Sequence, residues 1–186
     1  MNYLLNGSAL DHLRDHFKFQ TVSNSDIVNC TKKLPNSKVS GIDDISNFHL
    51  KLAIHHISPV LTHIMNLSIS SCTFPTIWKD HKVIPLHKKG DTLLCANYRP
   101  IALLSSISKL LERILFNQIY EYFESNNLFS DNQHGFRQNY STSSALTQLY
   151  ERIIDNAENS ELSGLLMLDF SSAFDVIKHD FLLKKT

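Results

Sequence analysis

The organising segment of this chain runs from Gly164 to Asp180 and reads Gly-Leu-Leu-Met-Leu-Asp-Phe-Ser-Ser-Ala-Phe-Asp-Val-Ile-Lys-His-Asp. Its apolar run, Leu165 to Leu168, is too short for a helix and predicts a strand covered on both faces. Asp169 follows that strand directly, where a buried carboxylate needs a partner such as a metal ion. From Ser171 the apolar residues recur at helical intervals, so the segment predicts a strand, an acid, a turn and a short helix.

Asp169 taken alone has a second interpretation, because Asp is also a favoured residue at the N-terminal cap of a helix. The surrounding pattern favours the metal-binding interpretation. An apolar strand, Asp, four residues, an aromatic residue and a second Asp at position 175 resemble motif A of reverse transcriptases. The run from Leu168 to Asp175, followed by His-Asp at 179–180, is most similar to the non-long-terminal-repeat (LINE, jockey-like) retrotransposon enzymes. Ser172 stands where those enzymes usually carry Lys or Arg.

The composition is that of an ordinary globular protein, with 186 residues, 42% of them hydrophobic, and a formal net charge of +0. This length accommodates one domain with an adequate core. A dedicated nucleic-acid-binding protein is usually basic overall, so contacts to nucleic acid would have to come from local clusters. Cys30, Cys72 and Cys95 have no paired spacing, which predicts neither a zinc site nor a disulfide framework and favours an intracellular protein. Neither a signal peptide nor a membrane-spanning run is recognisable.

Helical periodicity recurs in four segments of the chain. A short helix is expected over Asp26–Lys33, with Ser25 as its cap. Two helices, or one kinked helix, are expected over Ser46–Ser71, because Pro59 interrupts the pattern. The clearest helix spans Ser105–Phe123, and another is expected over Thr142–Ala157. In the last of these the apolar residues expected to face inward are Leu146, Leu149, Tyr150, Ile153 and Ile154.

A basic hairpin is expected between the second and third of these segments. Val83, Ile84 and Leu86 suggest a strand, and Pro85 among them implies an edge position. A second short strand returns after residue 97, so Lys88 and Arg99 are expected to meet near the hairpin. Clustered lysines commonly mean no more than a well-solvated hairpin tip, and on composition alone that interpretation is the better one.

The resemblance to reverse transcriptases implies a specific role for this hairpin. In that family a fingers strand carries a Lys and the return strand an aromatic-Arg pair, both directed at the incoming nucleotide. Lys88 or Lys89, with Arg99, occupy the matching positions, and the sequence does not decide between the two lysines. Arg offers a planar bidentate fork and Lys a mobile charge to a triphosphate. Phe174 matches the aromatic gate that excludes the 2′-hydroxyl of the nucleotide sugar.

The resemblance also implies contacts to the template. The Gln-x-Gly-Phe-Arg block, at 133–137, lies in family members at the template and nucleotide side of the cleft, which makes Gln133, Gly135 and Arg137 candidates. From the residues alone, Gly135 is a turn glycine and Arg137 a surface arginine. Lys38 belongs to a Lys-to-Gly-x-Asp segment that precedes the fingers in the family. Its simpler interpretation is a solvated loop.

The fold class implied is α+β and helix-rich, a partial right-hand polymerase comprising the fingers and the first strand of the palm. We expect a helical extension over residues 1–75, fingers over 76–163 and the start of the palm over 164–186. Asp169 would be the catalytic carboxylate and a metal ligand, with the carbonyl of Phe170 as a second ligand. Two Mg²⁺ ions serve the complete enzyme. The sequence reaches Thr186 before the aromatic-Ala-Asp-Asp hairpin that carries the other carboxylates.

The function implied is therefore part of an RNA-directed DNA polymerase that acts on an RNA template, a DNA primer and dNTPs. We expect no primer extension by these 186 residues alone; activity that Asp169→Asn abolishes would contradict this. The alternative is a domesticated RNA- or DNA-binding module without chemistry, or a non-functional remnant. An intracellular location is expected, and action in the nucleus is implied by the family only.

Overall fold

The computed structural model describes residues 17–170 and 176–181. These residues belong to two compact units, one spanning Lys18–Phe123 and the other containing Phe17 and the chain from Glu124 onward. The helices are α1 (Asn24–Lys33), α2 (Asn47–Ser70), α3 (Ser106–Ser125) and α4 (Thr142–Glu158), with short 3-10 turns at Thr76–Trp78 and Cys95–Asn97. The strands are β1 (Lys82–His87) and β2 (Tyr98–Leu103). The expected helix-rich α+β character is confirmed. None of the helices in these ranges has the length and apolar content needed to cross a membrane.

The core of the Lys18–Phe123 unit lies where α1, α2 and the first half of α3 meet. Each helix contributes the apolar stripe that its periodicity predicts. The large apolar side chains that are almost completely buried are Ile27, Leu50, Ile54, Met65, Leu110 and Leu111. Trp78 packs against this core from the 3-10 turn. Further along α3 the stripe emerges from the core, and Ile119 is 40% exposed.

Helix α1 begins one residue after its cap, Ser23, and not at the predicted cap, Ser25. The Ser23 hydroxyl accepts a hydrogen bond from the Asp26 backbone N–H at 3.2 Å, and the Asp26 carboxylate accepts one from the Ser23 N–H at 2.9 Å. This reciprocal arrangement satisfies two N–H groups at once. Ser25 lies inside the helix, where its side chain cannot cap the first turn. The expected cap is therefore corrected by two positions.

Helix α2 is continuous through Pro59. Proline lacks the N–H that would bond to the carbonyl of His55 four residues earlier. Both residues lie on the exposed side of the helix, so water can reach that carbonyl. The buried side, which carries Ile54 and Leu61, keeps its packing. Of the two expected arrangements, two helices or one helix, the structure has the second.

The segment that enters α1 is held by side-chain amides from the two longer helices. Asn66 of α2 accepts from the Val22 N–H at 2.7 Å and donates to the Val22 carbonyl at 2.8 Å. Gln118 of α3 does the same for Gln20, at 2.8 and 3.1 Å. The backbone of this segment therefore has partners without belonging to a sheet, as buried peptide groups require.

Strands β1 and β2 form an antiparallel hairpin in which Pro85 faces Pro100. The N–H of Lys88 donates to the carbonyl of Asn97 at 2.8 Å, so the hydrogen-bonded pairs fall at the even-numbered residues of β1. Pro85 and Pro100 thus occupy a pair whose N–H groups would point outward. Neither proline removes a bond from the ladder, and each removes a donor from an outer edge. The predicted edge strand is confirmed.

Two expectations for the second unit are wrong. Residues 161–170 have no regular secondary structure, and the side chains of Leu166, Met167 and Leu168 are each more than 80% exposed. A strand forms only against a ladder partner, and the described ranges provide none for this run. Helix α4 forms almost where predicted, but Leu146 and Tyr150 are about two-thirds exposed instead of facing inward. The short helix expected from Ser171 lies mainly outside the described residues. The division at residues 75 and 163 stays a prediction.

Candidate nucleotide and nucleic-acid interface

The hairpin places Lys88 and Arg99 on the same face. Arg99 pairs with Leu86, and the hydrogen bond from the Lys88 N–H to Asn97 continues the ladder beyond the end of β1. Side chains two residues apart on a strand point to one face, so Lys88 shares the face of Leu86 and Arg99. Such diagonal neighbours lie about 7–8 Å apart. Lys89 comes one residue after the last ladder bond, so the alternation of side chains assigns it to the opposite face of the hairpin.

This face of the hairpin is open to solvent, with its cations at the tip. Lys88, Lys89 and Arg99 are all exposed. Behind the Lys88 and Arg99 pair the same face carries Ile84 and Ile101, each about 40% exposed. An anion approaching the tip would therefore meet two positive groups beside an apolar surface.

The turn at the tip is held by its own hydrogen bonds. The Asn97 side chain donates to the carbonyl of Asp91 at 2.7 Å, and the Asp91 carboxylate accepts from the Leu93 N–H at 2.9 Å. Gly90, at φ 86°, adopts a backbone conformation that glycine takes without strain. The Tyr98 hydroxyl donates to the carbonyl of Thr92 at 2.9 Å. These bonds fix the backbone that presents the basic side chains.

Arg137, predicted from its pattern alone to be a surface residue, has only 12% of its side chain exposed. Its guanidinium lies over the rings of Phe129 and Tyr140, 5.3 and 4.4 Å from their centroids. It donates to the carbonyl of Ser130 at 3.2 Å and forms an ion pair with Glu124 at 3.3 Å. Arginine suits such a position because one planar group can stack and donate at once. This side chain binds its own loop.

His134 anchors the same loop to helix α4. Its Nδ1 lies 2.8 Å from the Ser144 hydroxyl and its Nε2 lies 2.8 Å from Gln148 Oε1. The Ser144 hydroxyl also lies 2.8 Å from the carbonyl of Ser141. The His134 ring also meets Tyr140 edge to face, 5.2 Å between centroids. Ser144 thus serves both the helix cap and the loop.

Gln133 and Gly135 lie on the outer side of this loop. Both are exposed, and the Gln133 side chain donates to the carbonyl of Gly135 at 3.4 Å. A Cβ added at Gly135 would have no atom within 4 Å. Gly135 lies in a turn, as predicted, but neither its backbone conformation nor its surroundings require a glycine there.

The remaining predicted site residues are distributed between the two units. Asp169 and Phe170 are exposed at the end of the irregular segment, and Phe170 is 82% exposed. Lys38 is exposed on the loop between α1 and α2. Phe174, the expected gate, lies outside the described residues. Lys38, Lys88, Lys89 and Arg99 belong to the Lys18–Phe123 unit; Gln133, Gly135, Arg137, Asp169 and Phe170 belong to the other.

Residues 86–186, more than half of the chain, match the model of the family described as reverse transcriptase (RNA-dependent DNA polymerase). The chain belongs to the reverse transcriptase family. The matched region begins within β1 and includes Arg99, the Gln133–Arg137 block and Asp169.

Known members of this family from flies are similar to the chain over most of its length. The probable RNA-directed DNA polymerase from transposon BS of Drosophila melanogaster is 34% identical over 161 residues, 86% of this chain and 18% of that protein. The RNA-directed DNA polymerase from mobile element jockey of the same species is 30% identical over 165 residues, 88% of this chain. A putative 115 kDa protein in the type-1 retrotransposable element R1DM is 28% identical over 151 residues. The chain spans less than a fifth of the length of these relatives.

These relatives confirm the resemblance to non-long-terminal-repeat retrotransposon enzymes. The family described as RNA-dependent DNA polymerase has RNA and DNA as its substrates. Reverse transcriptases are generally dependent on divalent metal ions. Asp169 and the adjoining carbonyl of Phe170 are oxygen donors of the kind that hard cations accept, so the donor chemistry fits. Within residues 17–170 and 176–181 no three His, Cys, Asp or Glu side chains converge as a metal site.

Two residues that shape the loop around Gln133–Arg137 could not be singled out from the sequence pattern. His134 carries two of its anchoring contacts, and Phe136 has φ 59° with a ring that is 88% exposed. Periodicity carries no signal for either property. A non-glycine residue in the left-handed region is set by the contacts around it, and those contacts exist only after folding.

Proposed function

We propose that this chain forms the fingers and the beginning of the palm of an RNA-directed DNA polymerase. In this proposal Lys88 and Arg99 hold the triphosphate of the incoming dNTP. The observation that carries it is the register of the hairpin, which sets both side chains on one exposed face. A guanidinium can bind two phosphate oxygens at once, and an ammonium can follow the charge that develops during transfer. Lys88, and not Lys89, is the lysine assigned.

Asp169 is proposed to be a ligand of the catalytic metal ion. Its carboxylate, with the carbonyl of Phe170, would hold Mg²⁺, a cation that prefers oxygen ligands. A cation held there would lower the pKa of an attacking hydroxyl and neutralise phosphate charge. Phe174 is proposed to lie beneath the nucleotide sugar and exclude the 2′-hydroxyl.

Gln133 and Gly135, which are both exposed, are proposed to contact the template; Lys38, exposed in the other unit, is proposed as a separate template contact. Arg137 is proposed to act through Gln133 and Gly135, which belong to the same loop. Because its guanidinium is bound to the loop itself, its role is to position the exposed residues, not to contact phosphate. RNA template and DNA primer are the nucleic acids that this function requires.

The two lysines provide a matched test of the proposal. Binding of a fluorescent dNTP to the 186-residue chain would be titrated with and without Mg²⁺, for Lys88→Ala and Lys89→Ala. Loss of one charge-assisted bond predicts a loss of about tenfold for Lys88→Ala, and for Arg99→Ala at least as much. Lys89→Ala removes the same charge from the adjacent residue, which belongs to the opposite face, so it should change affinity little.

Equal losses of dNTP affinity for the two lysine variants would contradict the assignment of Lys88 to the binding face. They would indicate a general effect of positive charge instead. A larger loss for Lys89→Ala would reassign the contact. Competition by inorganic triphosphate separates the phosphate contacts from those to base and sugar, because the two basic residues should account for binding of triphosphate itself.

A further inference from the structure

Phe136 combines two features that a residue of this kind rarely shows together. Its backbone is in the left-handed region at φ 59°, where a bulky side chain is strained by about 1–2 kcal/mol. Its ring is nevertheless 88% exposed, so burial of apolar surface does not offset that strain. Strained residues held in place by their surroundings occur preferentially at functional sites.

The surroundings of Phe136 do hold it in place. Arg137, the residue after Phe136, is held by the rings of Phe129 and Tyr140. His134, two residues before Phe136, is hydrogen-bonded to Ser144 and Gln148 of α4. The chain between these anchors is too short to relax. The ring of Phe136 is therefore presented outward from a rigid loop.

The backbone beside this ring is open. Gly135 has no atom within 4 Å of the position a Cβ would take, and its φ lies outside the range that favours glycine. One use of such a glycine is to let another molecule approach the main chain closely. Arg152 is exposed and donates to the Asn132 side chain at 2.7 Å, which adds a cation at the base of the same loop.

We propose that Phe136 and Gly135 form a stacking platform for an unpaired base of single-stranded RNA. Aromatic rings stack on bases of any sequence, and a flat ring needs open backbone beside it for the sugar. The nearby guanidinium of Arg152 suits a phosphate, which favours a nucleic acid over an apolar protein surface. This inference rests on the proposed polymerase function and assigns a contact that the Gln-x-Gly-Phe-Arg pattern leaves open.

The test uses the 186-residue chain and a single-stranded RNA oligonucleotide that carries 2-aminopurine, whose fluorescence falls when it stacks. Phe136→Ala should weaken binding by about tenfold and abolish the fluorescence change. Phe136→Trp should restore both, and Phe136→Leu, which is apolar but not aromatic, should not. Leu146→Ala is the control, because Leu146 is a 64% exposed apolar residue on α4 of the same unit. Gly135→Ala should weaken binding without lowering the melting temperature.

Phe136→Gly separates this role from a structural one. Glycine relieves the left-handed strain, so the variant should melt at a higher temperature and bind RNA less tightly. A structural role predicts lower stability. Unchanged RNA affinity in Phe136→Ala would overturn the stacking inference and leave the polymerase function standing. No RNA binding by the unsubstituted chain would overturn both the inference and the template role of this loop.

Discussion

The side chain of Asn66 bonds to both backbone polar groups of Val22, 44 residues away in sequence. It accepts from the Val22 N–H at 2.7 Å and donates to the Val22 carbonyl at 2.8 Å, as a neighbouring peptide group in a sheet would. Through this pair, α2 holds the segment that leads into α1 and its capping box. Only an amide can supply donor and acceptor at this spacing.

Asn66→Asp should therefore destabilise the chain. The carboxylate keeps the acceptor for the Val22 N–H but places an oxygen against the Val22 carbonyl, which leaves a partly buried acceptor without its donor. A loss of about 1–3 kcal/mol in the free energy of unfolding is expected in urea titrations. Gln118→Glu makes the same change at the more exposed Gln20 pair and should cost less. A loss for Asn66→Asp equal to or smaller than that for Gln118→Glu would contradict the role of Asn66 in holding Val22.

Arg137→Lys should lower stability although it conserves the charge. Lysine cannot stack on Phe129 and Tyr140 while it donates to Ser130 and Glu124, because an ammonium lacks the planar fork. We expect a fall of about 1–3 kcal/mol in unfolding free energy. If the residue served phosphate binding instead, Arg137→Lys would leave stability unchanged and lower only RNA affinity. Thermal melts and RNA titrations of the same variant distinguish these outcomes.

The capping box of α1 should make stability depend on pH. The Asp26 carboxylate accepts hydrogen bonds from the Ser23 hydroxyl and from the Ser23 backbone N–H. Both bonds, the hydroxyl's more strongly, lower the pKa of Asp26 below its usual 3.8. The folded pKa is thus depressed, so the contribution is complete above pH 3.8 and is lost as the pH falls through the lower folded value. The difference in unfolding free energy between the chain and Asp26→Asn should shrink over that acid range. A difference that stays constant between pH 6 and pH 3 would contradict this mechanism.

The three thiols should differ in reactivity. Burial in the core raises the pKa of Cys30, against smaller opposing effects of Arg113 and Lys33. Cys72 and Cys95 are exposed. Because the thiolate is the nucleophile, iodoacetamide should modify the two exposed cysteines at least on the order of 100-fold faster than Cys30 under native conditions. Peptide mass spectrometry over time gives the rates. Fast modification of Cys30 would show that the core of α1 opens easily.

Local patterns in the sequence predicted the elements whose form depends on nearby residues. Helix α3 begins within one residue of its predicted start, and α4 is one residue longer than expected. The hairpin forms with Pro85 at an edge and Arg99 on the return strand. Periodicity suffices here because helices and hairpins satisfy their backbone groups within a short stretch of chain.

Local patterns failed where the outcome depends on side-chain contacts that hydrophobic periodicity does not encode. The run Leu165–Leu168 is apolar enough for a buried strand, yet it has no ladder partner within the described ranges and is exposed. Arg137 is indistinguishable in sequence from a surface arginine. Its burial follows from its contacts with the rings of Phe129 and Tyr140.

The sequence by itself determined the family of this chain, the positions of its helices and hairpin, and the candidate acid Asp169, because motif spacing and hydrophobic period are properties of the linear chain. Only the tertiary structure decided that Lys88 shares a face with Arg99, that Arg137 binds its own loop, and that Phe136 points outward. The physical reason is that strand register, burial and left-handed backbone are set by specific contacts between side chains and backbone groups, which the hydrophobic period does not encode. Those contacts form only when the chain is folded.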